Sequence, residues 1–406
     1  MKIVTIGTGM AAAEFVEKLR LSGCNDEITM IGDEDFPPYS PCVLPFFLAG
    51  EPIETVYWKG MNFYKKFNVN DILGSRAVEV DFENKKIYTD NDKKIEYDLL
   101  FYATGGRSWY PKPQWLEYEG VLGFKTLTDM LAIDKYINEN KVKKAVVFGG
   151  GFIGVDAALA LWHRGIDVSI IHRNTRLLSQ MTDQDGGVFA TEKLKEITGI
   201  YVKLQTLVEK IKTDNGQLKS ITLTNGETIE TNLMIIAIGI SPNSEPLTKD
   251  DKGVETDEFL KLADNLYVGG DVAVTPHLIT GKKGIYATYP NAMLQARTAV
   301  RNIISGKTKY EGSINTNVLK KHINFPIISA GNFEGEEYTW QKNNLFRRVY
   351  LKEGKINGYE IIGDTRISGY IYNLYRSQVR VDKIINNILS DIKGDSYYRK
   401  MVGLLE

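Results

Sequence analysis

Two glycine-rich segments and one cysteine are the features of this sequence best suited to chemistry. Gly7-Thr8-Gly9-Met10-Ala11-Ala12 follows an apolar run, Lys2–Ile6, and precedes residues with helical spacing through Leu21. In a G-x-G-x-x-A turn the first glycine allows a tight bend and the second lets backbone approach a pyrophosphate. The small last residue lets helix and strand pack closely. The helix N-terminus then faces the phosphates with open N–H groups and a favourable dipole. Gly149-Gly150-Gly151-Phe152-Ile153-Gly154 repeats the pattern in strict form, between strand-like Lys144–Phe148 and helical Val155–His163. A single match is weak, because glycine turns after buried strands are common. Two matches in the required context predict two bound dinucleotides.

The strand after each turn bears on the cofactor. A carboxylate at that strand end binds a ribose diol, whereas arginine suits a 2′-phosphate. After Glu27–Ile31 comes Gly32, so the acid falls to Asp33 or Glu34, and the choice stays open. After Asp167–Ile171 come His172-Arg173-Asn174-Thr175-Arg176, with no acid and two arginines. This favours NADPH over NADH, with His172, Arg173 and Arg176 as candidate contacts; solvated loop arginines are the plain alternative. Cys42 follows Pro41, which can open a helix and place the thiol in a first turn, where the dipole lowers a thiol pKa. A small buried hydrophobe is the commoner fate of a free cysteine.

These residues need a scaffold of strand, turn, helix and strand, present twice. Between the copies lie alternating segments, Ala77–Asp81, Lys86–Thr89 and Ile95–Ala103. After the second copy come Tyr201–Leu204, Leu218–Leu223 and Thr228–Ile238. From about Val318 short strands with turns at Glu334–Gly335, Gly354 and Gly363–Asp364 precede a helix near Val381–Ile392. The expected class is α/β, with two Rossmann-type nucleotide-binding domains and a C-terminal α+β domain. Its 406 residues are too many for one core.

With 50 basic and 51 acidic side chains the net charge is −1, which argues against a nucleic-acid partner. No apolar run reaches membrane-spanning length, and the first residues enter a strand rather than a signal peptide. Two cysteines make a disulfide framework improbable, so a cytoplasmic location is expected. The four histidines, His163, His172, His277 and His322, show no metal-ligand spacing, so no metal is expected. Cys24 has no partner at short spacing and reads as structural.

Further motifs fall in the order of a known family. Ala103-Thr104-Gly105 and Ala237-Ile238-Gly239 each follow a strand, and Leu266-Tyr267-Val268-Gly269-Gly270-Asp271 closes the nucleotide region. With the two glycine turns, they make residues 1–305 resemble the pyridine nucleotide–disulfide oxidoreductase superfamily of flavoproteins. That resemblance implies FAD on the first turn and NAD(P)H on the second, with hydride passing from nicotinamide C4 to flavin N5. It implies that Asp271, after Gly270, contacts the flavin's ribityl–phosphate region. A helix from Asn291–Ala292 would aim its N-terminus at the isoalloxazine, where it favours the negative charge of reduced flavin. Asp156 stands where the family often has glutamate, and Phe152 where a tyrosine often gates the nicotinamide pocket. The implied units are an FAD-binding domain at 1–112 and 250–310, an NAD(P)-binding domain at 113–249 and an interface domain at 311–406.

Pro41-Cys42-Val43-Leu44-Pro45-Phe46-Phe47 resembles the coenzyme A disulfide reductase, NADH oxidase and NADH peroxidase branch. There a single cysteine in a C-x-L-P-aromatic-aromatic context sits against the flavin. The implied reaction passes electrons through Cys42 to a disulfide or polysulfide acceptor, with oxygen or peroxide reduction as a variant. The two-cysteine pair of glutathione-reductase-like enzymes is absent. Gly358–Asp364 is instead similar to rubredoxin-reductase and nitrite-reductase-like members. The alternative is therefore an electron-transfer subunit serving a ferredoxin or rubredoxin. Tyrosines in Tyr370–Tyr375 either approach the flavin or pack a core, and the family implies a homodimer.

Overall fold

The computed structural model describes residues 1–248, 251–320 and 322–390. Lys2–Ile6 is apolar but for Lys2 and Thr5, and beyond Lys2 it is buried on both faces, as a central parallel strand requires. It pairs in parallel with Glu27–Ile31 on one side and Leu99–Tyr102 on the other. The six-stranded sheet runs Lys261–Ala263, Leu266–Val268, Leu99–Tyr102, Lys2–Ile6, Glu27–Ile31, Asn70–Ile72, with only the first of these antiparallel to its neighbour.

Helix Met10–Leu21 packs against helix Tyr289–Ser305 in one core. Both present alanines to it (Ala11, Ala12 and Ala13 against Ala292, Ala296 and Ala299), and small side chains let the two axes come close. Phe15 from the first helix stacks on Phe101 of the sheet at 4.2 Å between ring centroids. The chain thus returns, almost 300 residues later, to the unit that it began.

The second sheet is wholly parallel, in the order Tyr201–Lys203, Asp167–Ile171, Lys144–Phe148, Leu233–Ile236, Val121–Leu122. Each parallel sheet is accompanied by a three-stranded antiparallel meander. One is Ala77–Asp81, Lys86–Thr89, Lys94–Glu96; the other is Val208–Asp214, Gln217–Leu223, Thr228–Glu230. The two chain passages between the units pair as short antiparallel strands, Gly106–Ser108 with Ile240–Pro242. Tyr102 and Thr104 hydroxyls fasten this crossing by donating to the Asn243 carbonyl, at 2.6 and 2.7 Å.

A five-stranded antiparallel sheet follows, ordered Asn317–Leu319, Ile327–Gly331, Lys355–Ile362, Leu345–Lys352, Glu336–Lys342. Helix Ser368–Ser377 buries Tyr370 and Tyr375 in the core behind it, so these tyrosines pack this core.

Several sequence expectations need correction. Ile95–Ala103 and Thr228–Ile238 are each two strands, broken at 97–98 and 231–232, because each half belongs to a different sheet. Val208–Asp214 was not expected, since its Lys- and Glu-rich exposed face masks the alternation. The second fingerprint helix starts at Phe152 rather than Val155, with Gly151 as its N-cap. The helix near Val381–Ile392 is Ile385–Ser390 in the structure; residues 391–406 of the expected last unit, and the expected seam at 249–250, lie outside the described residues.

Candidate cofactor and thiol site

Both fingerprint turns have the backbone that the chemistry requires. Gly7 has φ +107° and Gly149 φ +128°, conformations that a side chain resists. A Cβ on Gly7 would overlap the Ala103 carbonyl oxygen, and one on Gly149 that of Ala237. The Ala103-Thr104-Gly105 and Ala237-Ile238-Gly239 segments are therefore pressed against the two turns by strand pairing. Gly154 lies against the Gly149 carbonyl, where a Cβ would also overlap, whereas Ala12 fills the matching place in the first unit.

Gly9 and Gly151 cap their helices in extended conformation with no side-chain bond to the first turn, and a Cβ on either would meet open space. An open approach to unfilled helix N–H groups is what a pyrophosphate needs, so the residues present fit dinucleotides at both places. Met10 is buried behind the first turn, and Phe152 and Ile153 flank the second, Ile153 being exposed.

The two strand ends differ. Asp33 is exposed, but the Glu34 carboxylate is engaged by Tyr39 and by Thr128 of the second unit. At the other end His172 is buried, and its Nδ1 accepts the Gly150 N–H at 3.1 Å. Burial, then the charges of Arg173 and Arg176, hold its pKa down at about 4, so the ring is neutral with its proton on Nε2. His172 thus braces the glycine turn.

Arg176 turns inward, donating to the Thr182 carbonyl at 3.0 Å and to Gln184 at 2.9 Å. Of the two arginines, Arg173 is the exposed one. Arg173→Glu is expected to raise KM for NADPH by about tenfold or more while leaving KM for NADH within about twofold, because one charge-assisted contact is lost. Steady-state kinetics with both nucleotides checks it; unchanged NADPH use would remove Arg173 from the site.

Sequence reasoning missed Glu14, although the signal was present. It lies two residues beyond Ala12, as Asp156 lies two beyond Gly154, and both carboxylates are buried. Glu14 is met by Lys59 at 2.8 Å and by Arg297 at 2.6 Å. Burial pushes the Glu14 carboxyl up, but the hydrogen bonds from Lys59 and Arg297 outweigh it and hold the group below the usual range. The pair with Arg297 ties the fingerprint helix to helix Tyr289–Ser305.

That second helix begins at Tyr289, two residues before the expected Asn291–Ala292, with Pro290 in its first turn. Asn291 does not face outward. Its amide donates to the Tyr286 and Ile314 carbonyls, each at 2.9 Å, and its oxygen accepts the Ile314 N–H. Asn291 thereby docks the start of the C-terminal region on the helix, and Ala292 packs in the core. The N-cap Thr288 makes no side-chain cap bond. Its Oγ1 and the Trp58 Nε1 are buried without a hydrogen-bond partner among the described residues. Trp58 packs edge-on against Tyr289, so both atoms belong to the surroundings of this helix start. Asp271 meets Lys125 at 3.3 Å, and the Gly270 N–H donates to Gln295 at 2.7 Å.

Cys42 is exposed, so it is not the buried hydrophobe that was the alternative. It sits in a 3-10 turn, Pro41–Val43, leading into a five-residue helix, Leu44–Leu48, rather than in the first turn of a longer helix. Neighbouring Ser40 lies 4.0 Å from the Met10 sulfur, which brings the turn to the first fingerprint. On its other side Ser40 donates its N–H to the Val56 carbonyl at 2.9 Å, and Trp58, two residues on, packs on Tyr289. The thiol therefore shares its surroundings with the 17-residue helix Tyr289–Ser305, whose dipole is the larger one. Cys24 is half-buried against the first core, its thiol 3.7 Å from Asp26. The histidines are less scattered than expected, since the His163 and His322 rings lie 5.6 Å apart, but no group of three or more metal-binding side chains occurs among the described residues.

Two glycine turns on parallel sheets, a returning helix and an exposed thiol beside its start define a dinucleotide-dependent oxidoreductase. The chain belongs to the pyridine nucleotide-disulphide oxidoreductase family, whose model matches residues 1–296. FAD and NAD(P)H are the family's cofactors, and residues at both turns fit them. The chain is 28% identical to an NADH oxidase of Methanocaldococcus jannaschii over 91% of its own length and 89% of that protein's. Identity is also 28% to an NAD(P)H coenzyme A polysulfide/persulfide reductase of Pyrococcus horikoshii, covering 87% and 78%. It matches a nitrite reductase of Bacillus subtilis at 27% identity over 94% of this chain, but spans only 48% of that protein. The structure of a persulfide reductase from A. fulgidus superposes with TM-score 0.87 at 24% identity, covering all of this chain and 84% of the other, which shows the shared fold. No helix among the described residues is long and apolar enough to cross a membrane.

Proposed function

We propose that the protein transfers electrons from NAD(P)H to a disulfide or polysulfide of low molecular weight through Cys42. The observation that carries this reading is the exposed Cys42 turn, tied through Ser40, Val56 and Trp58 to the start of helix Tyr289–Ser305. FAD, when bound, supplies the two-electron store between nicotinamide and thiol. The positive end of the long helix provides the polarity that a thiolate nucleophile needs. Cys42 attacks one sulfur of the acceptor and holds it as a mixed disulfide while the other sulfur leaves as thiolate. Two electrons and a proton then free the second thiol and restore Cys42. The persulfide- and polysulfide-reducing relatives support this acceptor class.

The working map places the FAD unit at 1–112 and 250–310, the NAD(P) unit at 113–249 and an interface unit from 311. In this reading Asp271 and Gly270 border the FAD phosphates, Asp156 and Phe152 the nicotinamide, and the protein is a cytoplasmic homodimer.

Cys42→Ser is expected to lower polysulfide and coenzyme A disulfide turnover by about a hundredfold or more while dye reduction by NAD(P)H persists, because only the former needs the thiolate. Full retention of disulfide turnover would end this reading. A second reading, an electron-transfer module serving a protein partner, is favoured by the nitrite reductase match and by a nitrate reductase electron transfer subunit of which this chain spans 48%. Stoichiometric reduction of an iron–sulfur protein by wild type and Cys42→Ser alike would support it.

A further inference from the structure

We propose that Glu34 and Tyr39 are a positioning pair that fastens the Cys42 segment to the second nucleotide unit, leaving Asp33 to meet the first cofactor's ribose. The inference rests on the reading of Cys42 given above. Helix Leu127–Asn140 opens the second unit, and its first-turn N–H groups are filled from two sources. Thr126 and Asp129 form a capping box, with the Asp129 N–H on Thr126 Oγ1 at 3.1 Å and the Thr126 N–H on the Asp129 carboxylate at 3.0 Å. The Leu127 N–H donates to the Tyr39 hydroxyl oxygen at 3.1 Å, and the Thr128 N–H to Glu34 Oε1 at 3.0 Å. The Thr128 hydroxyl donates to the same Oε1 at 2.7 Å, and the Tyr39 hydroxyl to the other Glu34 oxygen.

Both carboxylate oxygens are thus committed, Oε1 across the junction and Oε2 to Tyr39, which itself bonds across it, and a negative charge there matches the positive end of the helix. Burial, then the Glu34 charge, keeps the Tyr39 phenol protonated and able to donate. Beyond Cys42 the chain is held by the same unit. Leu44 and Leu48 lie in one core with Leu127, Met130, Ile133 and Leu159, and Arg164 donates to the Leu48 carbonyl at 3.2 Å. Cys42 therefore sits on a short span whose two ends are anchored on the nicotinamide unit, although its chain position belongs to the FAD unit. A carboxylate so engaged has little acceptor capacity left for a ribose diol, whereas Asp33 next to it is exposed.

The test uses the FAD-loaded full chain and variants Glu34→Ala, Glu34→Gln, Tyr39→Phe and Asp33→Asn. Iodoacetamide alkylation of Cys42 is followed by mass spectrometry with Cys24 as internal reference, and FAD dissociation by flavin fluorescence. Glu34→Ala and Tyr39→Phe should change the Cys42 alkylation rate by about fivefold or more with the FAD dissociation constant within about twofold. Glu34→Gln should fall between wild type and Glu34→Ala, because its amide oxygen still accepts both Thr128 bonds while its NH2 cannot accept the Tyr39 hydroxyl. Asp33→Asn should weaken FAD by about tenfold without moving the alkylation rate. Weak FAD binding in Glu34→Ala with normal binding in Asp33→Asn overturns the proposal, as does an unmoved Cys42 rate in both Glu34→Ala and the milder Tyr39→Phe. Alkylation reads the position of the thiol whether or not it turns over disulfides, so failure of the Cys42 function would appear separately, in the Cys42→Ser turnover.

Discussion

Gly149→Ala should purify with flavin bound yet lose at least about nine-tenths of its NAD(P)H-driven turnover, whereas Gly7→Ala should purify largely without flavin. The two glycines do the same work in two units, so equivalent substitutions should separate the cofactors. At φ +128° and +107° an L-residue is strained by about 1–3 kcal/mol. Each added methyl would also run into a carbonyl, of Ala237 or of Ala103, which directly follows a paired strand and is held by its own N–H bond to Phe148 or Ile6. The turn must therefore open, and opening withdraws its N–H groups from the pyrophosphate. Flavin absorbance per chain and KM for the nicotinamide check both halves. If Gly149→Ala lost flavin instead, the assignment of the cofactors to the two turns would be reversed.

Raising the pH should destabilise the wild-type protein through Glu360, and Glu360→Gln should remove much of that dependence. Glu360 is wholly buried where the C-terminal sheet meets the start of helix Gln184–Thr198, and it accepts the Asp183 N–H. Asp183 caps the helix by accepting the Gly186 N–H at 2.7 Å and is also held by Tyr350 and Arg348. Arg348 additionally meets Asp185 at 3.0 Å and Glu337 at 2.9 Å, so three carboxylates meet one guanidinium. The first of these, Asp183, stays ionised: burial raises it, but Tyr350, the helix N–H and Arg348 together bring it below the ordinary range. Burial, then the Asp183 charge, pushes Glu360 up to about 8.

From its ordinary pKa up to about 8, Glu360 thus keeps its proton in the folded chain and loses it in the unfolded one. Stability attributable to this group falls through that window by roughly 1.4 kcal/mol per pH unit and levels off above it. Glu360→Gln resembles the protonated form at every pH. Its melting temperature should therefore gain on wild type progressively between pH 5 and 8, by a few degrees in all, about what a few kcal/mol gives in a chain this long. A gap that stays constant with pH would show that Glu360 does not carry the proton.

The sequence alone determined the two nucleotide-binding units. Their turns are local: an apolar strand, glycines that tolerate a positive φ, and an alanine-rich helix lie within some twenty residues. Lys2–Ile6, Met10–Leu21, Lys144–Phe148 and Asp167–Ile171 accordingly stand where the pattern puts them. Tertiary structure decided what each charged side chain does, because a carboxylate or guanidinium takes whichever partner folding brings near, however distant in the chain. Glu14 found Arg297 across 283 residues, and Glu34 found Thr128 across 94. Arg176 took Gln184 and the Thr182 carbonyl of its own loop as partners. The surroundings of Cys42 were likewise beyond local pattern. Pro41 announced a turn, but the helix start beside the thiol comes from a segment almost 250 residues later, brought back by the return strand Leu266–Val268 pairing with Leu99–Tyr102.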